Sequence, residues 1–222
     1  MREKVALIQH VYRTNPKAAE IVKAELSKEG GKPIFDVEYM RERSKVFIKW
    51  INDFMQDYRV LCVTTRRDSE KMWSTYAEKH NGIVLRIEPN VPKDSKFQLF
   101  RPVEYREKRP PLYDEALDFI AGSLFGDQEA RRKAILEKII YTKTLPWQHE
   151  AEYRLAIPLG EGEAPYNVLK FHPEEITELY LGLAMTKEDR EEIVTKAKAL
   201  NPEIAIFQAD RDANTKLTFN RI

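Results

Sequence analysis

The sequence predicts an α+β protein, with N-terminal helices followed by a mainly antiparallel β-sheet and flanking helices. Three observations carry that reading. Apolar residues between Asp36 and Tyr58 recur at helical spacing, and the period changes to two after Tyr58. The last third is a series of short β-rich runs broken by one helix.

Each element follows from its local pattern. "VALIQHVYR" is short and apolar on one side. In "NPKAAEIVKAELSKEGG", Asn15 is placed as N-cap, Pro16 at the first helical position and Gly30-Gly31 as the stop. In "DVEYMRERSKVFIKWINDFMQDY", Met40, Phe47, Ile51, Phe54 and Tyr58 make an apolar stripe, with Asp36 as the cap. "RVLCVTT" then reads as a strand, "DSEKMWSTYAEKH" as a short helix and Asn81-Gly82 as a turn. "IVLRIE" is an alternating strand with Ile83, Leu85 and Ile87 on one face. Pro92 and Pro102 break "VPKDSKFQLFRPVEYRE" into loop and strand. Two helices, "RPPLYDEALDFIAGSLF" and "DQEARRKAILEKIIY", meet near Gly126-Asp127. "EYRLAIP", "YNVLKF", "ELYLGL", "EIAIFQA" and "KLTFN" complete the sheet, interrupted by a helix from Lys187 to Leu200 capped by Thr186. The chain therefore divides into a helical region, 1–58, and an α+β domain, 59–222, expected to pack as one compact unit.

Composition removes several classes of function. The 222 residues are 42% hydrophobic, enough for a substantial core. A net charge of +1 gives no global pull toward nucleic acid or anionic lipid. The basic clusters "TTRRD", "REKRPP" and "EARRKAILEK" adjoin acids and read as solvated surface. The single cysteine, Cys62, excludes an intramolecular disulfide and a multi-cysteine zinc site, and within "RVLCV" it is expected to be a buried, inert thiol. His10, His80, His149 and His172 are scattered without metal-ligand spacing, so no metal is expected. There is no G-x-S-x-G and no Gly-rich phosphate loop. No apolar run approaches ~18 residues and "MREKVALIQHVYR" lacks a signal-peptide core, so the expectation is a cytoplasmic protein with no membrane partner.

Two stretches carry chemistry. In "WQHEAEYRL", strand alternation projects Glu150, Glu152 and Arg154 to one face and Ala151, Tyr153 and Leu155 to the other. Neighbours on such a face lie about 7 Å apart, a spacing that suits paired carboxylates steered by a guanidinium. The alternative is a solvated charged face, where an exposed pair contributes ~0–1 kcal/mol. In "MWSTYAEKH", Met72, Tyr76 and His80 share a helical stripe beside Trp73. That stripe is either a stacking wall for a purine or nicotinamide or the core side that seats the helix on the sheet. For His80 a capping or turn role stands beside a catalytic one.

Together the two stretches resemble an uncharacterised bacterial family, catalogued as domain of unknown function 2971. "VLCVTTRRDSEKMWSTYAEKHNGIVLRIE" resembles that family's strand, M-W-x-x-Y-A helix and H-x-G-hydrophobic strand. "KTLPWQHEAEYRL" is similar to its later lysine and W-x-x-E-x-E-x-R, with Lys143, Trp147, Glu150, Glu152 and Arg154 in the matching places. "FHPEEITELYLGL" resembles the strand that follows, so the likeness runs from about residue 58 to 222. Thr75 stands where the family usually has histidine. The family's opening tyrosine-rich strand and asparagine-aspartate-proline strand have no counterpart before residue 58. Either a helical N-terminus replaces those strands or the chain is a shortened member.

Members of the family look distantly like the ADP-ribosyltransferase fold, a split sheet that grips NAD. The resemblance implies an NAD-using transferase, a toxin or phage-defence effector acting on protein or nucleic acid. In that reading Glu152, Glu150 and Tyr76 are catalytic, and Trp73, His80, Trp147, Arg154 and Lys143 bind the ligand. The alternative, which Thr75 and the missing strands favour, is a non-catalytic nucleotide- or partner-binding module on the same fold. A third reading makes Trp147, Glu152 and Arg154 a buried ion-pair lock between sheet and helix. The discriminating observation is whether Glu150, Glu152 and Tyr76 come together.

Overall fold

A computed structural model describes residues 9, 10, 13, 16, 37–112, 128–159 and 169–222. The expected Asn15 cap, Gly30-Gly31 stop, Asp36 cap, most of the helix expected in "RPPLYDEALDFIAGSLF" and half of the "YNVLKF" strand fall outside these residues. The fold is α+β, and it forms two compact units: Met1–Tyr58 with Arg106–Thr142, and Arg59–Tyr105 with Lys143–Ile222.

In the first unit, helix α1 (Val37–Gln56) buries Phe54 and stacks Phe47, Trp50 and Phe54 in sequence along one side. The i, i+3 and i, i+4 steps place these rings one above another. A later helix, Gln128–Ile140, sets the Arg132 guanidinium 5.8 Å from the centroids of both Trp50 and Phe54 and buries Ile135.

The second unit carries the strands of two larger sheets. Strand β1 (Tyr58–Thr64) leads to helix α2 (Glu70–Tyr76), then β2 (Ile83–Ile87), β3 (Arg101–Pro102) and β4 (Glu104–Arg106). After α3, the Gln128–Ile140 helix, come β5 (Thr142–Thr144), β6 (Glu152–Pro158) and β7 (Ile176–Leu181). Helix α4 (Lys187–Leu200), β8 (Ala205–Arg211) and β9 (Leu217–Arg221) close the chain. The strand orders are β1-β6-β3 and β2-β7-β8-β9, with β4 and β5 as a separate pair. The β2–β7, β3–β6 and β8–β9 ladders are antiparallel, and β7–β8 is parallel. A parallel neighbour needs a crossover, and α4 supplies it.

Alternation along β7 builds the core on both faces of the four-stranded sheet. Leu179 and Leu181 point to one side, packing with Met185, Ile204, Ile206 and the Ile193, Val194 and Ala197 stripe of α4. Tyr180 points to the other, where α2 seats Trp73 and Ala77 against it with Phe207 and Phe219. Thr186 caps α4 as expected, its hydroxyl accepting from the Asp189 N–H at 3.1 Å.

One expected stripe does not form. Helix α2 stops at Tyr76, and Glu78, Lys79 and His80 all take left-handed φ values of 48°, 53° and 71°. His80 is thus turned off the Met72–Tyr76 stripe and stacks on Trp73, ring centroids 6.0 Å apart. The turn fits because position 182 is glycine: a Cβ there would lie 2.0 Å from the His80 carbonyl oxygen.

Candidate functional site

The sequence "TLPWQHEAEYRL" enters its site by a turn rather than along a strand. Pro146 sits in the first turn of a 3-10 segment, Leu145–Glu150, and Ala151 follows with a left-handed φ of 43°. Strand β6 starts only at Glu152. Alternation therefore does not bring Glu150 to the side of Glu152, as the sequence pattern led one to expect; the left-handed alanine does. Such a conformation disfavours any residue with a Cβ by roughly 1–2 kcal/mol. Bonds from β1 hold it: the Thr64 hydroxyl donates to the Glu150 carbonyl at 2.6 Å, and the Thr65 N–H to the Ala151 carbonyl at 3.3 Å.

The result is a buried charged centre. Glu150 and Glu152 are 3% and 7% exposed. The Tyr76 hydroxyl donates to Glu150 Oε1 at 2.9 Å, and the Lys143 ammonium donates to Glu150 Oε2 and, at 3.2 Å, to Glu152 Oε2. Arg154 grips Glu152 bidentately, Nε to Oε1 at 2.8 Å and Nη2 to Oε2 at 2.9 Å. The backbone of Glu152 is fixed as well, its N–H donating to the Tyr105 hydroxyl and its carbonyl accepting from Val103, both at 2.9 Å. Trp147, 44% exposed, lies with its ring centroid 4.7 Å from Lys143 Nζ.

Electrostatics follow from these contacts. Desolvation opposes ionisation of Glu152, but hydrogen bonds from Arg154, Cys62 and Lys143 outweigh it and hold the carboxyl at about 2. Desolvation also works against the Lys143 charge, and its two carboxylate partners overcome it, raising its pKa above the ordinary value. Tyr76 is raised by its hydrogen bond to Glu150. Cys62 is exposed on β1 rather than buried as expected, because β1 is an outer strand of its sheet. Its thiol is nevertheless pushed up to about 11 by desolvation and by the adjoining Glu152 carboxylate, which leaves it a poor nucleophile.

Six of the eight sequence-derived site residues thus meet at one place: Tyr76, Lys143, Trp147, Glu150, Glu152 and Arg154. The other two do not join them. Trp73 is 1% exposed in the core, donating its indole N–H to the Arg67 carbonyl at 2.6 Å. His80 packs against it and pairs with Glu70 at 3.0 Å.

A cleft of about 750 Å³ is lined by Tyr153, the β6 residue that alternates with Glu152 and Arg154, and by none of the six gathered residues. Cys62–Thr64 of β1 and Tyr153 of β6 line it from one sheet, Val84–Ile87 of β2 and Tyr180 of β7 from the other, with Phe97 and Phe100 at its edge. Arg67 and Arg86 add two half-exposed guanidinium groups. Sequence reading passed over these residues. "TTRRD", which contains Arg67, read as solvated surface; long-range pairing of β2 with β7, and of β6 with β1 and β3, is what makes the cleft. Among the described residues no group of three or more His, Cys, Asp or Glu is placed to hold a metal, and no helix is long and apolar enough to cross a membrane.

These features define an α+β protein with a buried ion-pair centre and a separate cleft lined from two sheets. The model of a family described as protein of unknown function (DUF2971) matches residues 72–155, from the M-W helix to the Glu-x-Glu-x-Arg strand. The resemblance read from the two motifs holds over that span, which is narrower than 58–222. No curated protein and no solved structure matches the chain.

Proposed function

We propose that this chain is a non-catalytic nucleotide-binding module. One observation carries the reading: all four carboxylate oxygens of Glu150 and Glu152 already accept from Tyr76, Lys143 or Arg154. A general base needs a free lone pair and a pKa near the working pH. Glu152, held at about 2, fails the second requirement. The volume of the cleft is within the range of small-molecule sites, roughly 300–1,000 Å³, and its aromatic and guanidinium lining supports a nucleotide as occupant.

A second reading, NAD-dependent ADP-ribosyl transfer by a toxin or defence effector, has one observation in its favour. Glu152 stays ionised at every physiological pH, and a fixed anion suits an oxocarbenium-like ribosyl centre. That chemistry requires the ligand to displace Lys143 or Arg154 from the carboxylate.

A thermal-shift series with NAD, ADP-ribose and mononucleotides, run beside an NAD-consumption assay, separates the two. The expected outcome is stabilisation without NAD loss, about 2.7 kcal/mol when ligand stands at 100 times its Kd. NAD loss that disappears in Glu152→Gln overturns the binding reading in favour of transfer.

A further inference from the structure

We propose that the cleft between the two sheets is a nucleoside-phosphate site in which Arg67 holds the phosphate and Tyr153 with Phe100 holds the base. The proposal rests on the nucleotide-binding reading and deepens it by naming the group that confers specificity.

Arg67 lies in the turn between β1 and α2, and four contacts fix it there. Its carbonyl accepts the Trp73 indole N–H at 2.6 Å, which ties the turn to the core. Its Nη1 donates to the Tyr180 hydroxyl at 2.5 Å, and its guanidinium carbon lies 5.2 Å and 5.8 Å from the Tyr180 and Phe219 ring centroids. This is a pre-ordered cation, with little side-chain freedom left to lose on binding. Trp73, expected in a ligand wall, acts instead on Arg67 through the backbone.

The acid facing Arg67 is weakly committed to it. Glu178 stands 3.7 Å away, whereas it is 3.0 Å from Arg86 and accepts the Tyr180 hydroxyl as well. Arg86 is in turn closed off by Glu88 at 2.6 Å. A phosphate can therefore take the Arg67 fork while Glu178 keeps two other partners. Arg86, neutralised by two carboxylates, remains a wall. The guanidinium fork matches phosphate oxygens in a bidentate way, and Tyr153 and Phe100 line the cleft as aromatic surface for a flat heterocycle, Phe100 backed by Phe97 at 5.9 Å.

Calorimetric titration of the whole chain with adenosine, AMP and ADP tests the assignment, using wild type, Arg67→Lys and Arg67→Gln. Expected is AMP and ADP binding tighter than adenosine by about 10- to 100-fold, the range for a charged hydrogen bond. Arg67→Gln should erase that advantage, and Arg67→Lys should retain part of it. Inorganic phosphate should compete with AMP for the wild type, which keeps the test decisive if Arg67→Gln does not fold. Adenosine binding as tightly as AMP, or AMP unmoved by phosphate, overturns the Arg67 assignment alone. Binding of none of the three compounds overturns the nucleotide reading with it.

Discussion

The two charged regions flanking β1 use the same residue types to opposite ends. At the Glu150–Glu152 centre, two buried carboxylates are paired with two partly buried cations, and every carboxylate oxygen has a donor. At the Arg67–Glu178–Arg86 group, the guanidinium side chains are 54% and 50% exposed and open into a cleft. Burial decides the difference. Removing one member of a dry, saturated network strands a charge, whereas an exposed pair exchanges partners with water or ligand at little cost. Catalysis and recognition need exchangeable partners, so the second region suits ligand and the first suits architecture.

The largest effect that would break this contrast is expected from Lys143→Met. It leaves two neighbouring carboxylates without their shared cation, and urea titration should show a loss of about 3–5 kcal/mol. A loss below about 1 kcal/mol would mean the centre is solvated and free to act. Acid should weaken the same network. Glu152 has its folded pKa depressed from 4.5 to about 2, so its contribution is complete above pH 4.5 and declines as pH falls toward 2. Urea midpoints across that window should report up to about 3 kcal/mol, absent in Glu152→Gln. Tyr76→Phe is a smaller probe. Tyr76 is 62% exposed, so water replaces its hydrogen bond to Glu150, and the expected cost is about 1 kcal/mol or less. Arg67→Gln stands beside it at about 1 kcal/mol by the same titration, because its pairing with Glu178 is loose and half-solvated while its bond to the Tyr180 hydroxyl and its ring contacts are lost with the guanidinium.

Local pattern in the sequence was enough to reveal α1, the Thr186 cap, the α4 helix and the strand beginning at Glu152, but not the parallel β7–β8 pairing that makes α4 a crossover. Strand alternation also singled out Glu150, Glu152 and Arg154, and the family resemblance added Lys143 and Trp147. What it misplaced depends on tertiary contacts. The left-handed turn at Ala151 has no glycine to announce it and is held by Thr64 and Thr65, 86 residues away. The His80 turn needs Gly182, whose missing side chain matters only once β7 lies against it. Cys62 looked like a core residue because "RVLCV" is apolar, yet β1 is an outer strand. Arg67 and Tyr180 are 113 residues apart, and no periodicity links them.

The central claim is that Glu152 holds the fold and performs no acid–base chemistry. The most direct measurement pairs urea stability with NAD consumption for wild type and Glu152→Gln. The expected result is a loss of about 3 kcal/mol in the variant and no NAD consumption by either protein. A variant within about 1 kcal/mol of wild type, missing an NAD-consuming activity that the wild type has, would contradict it.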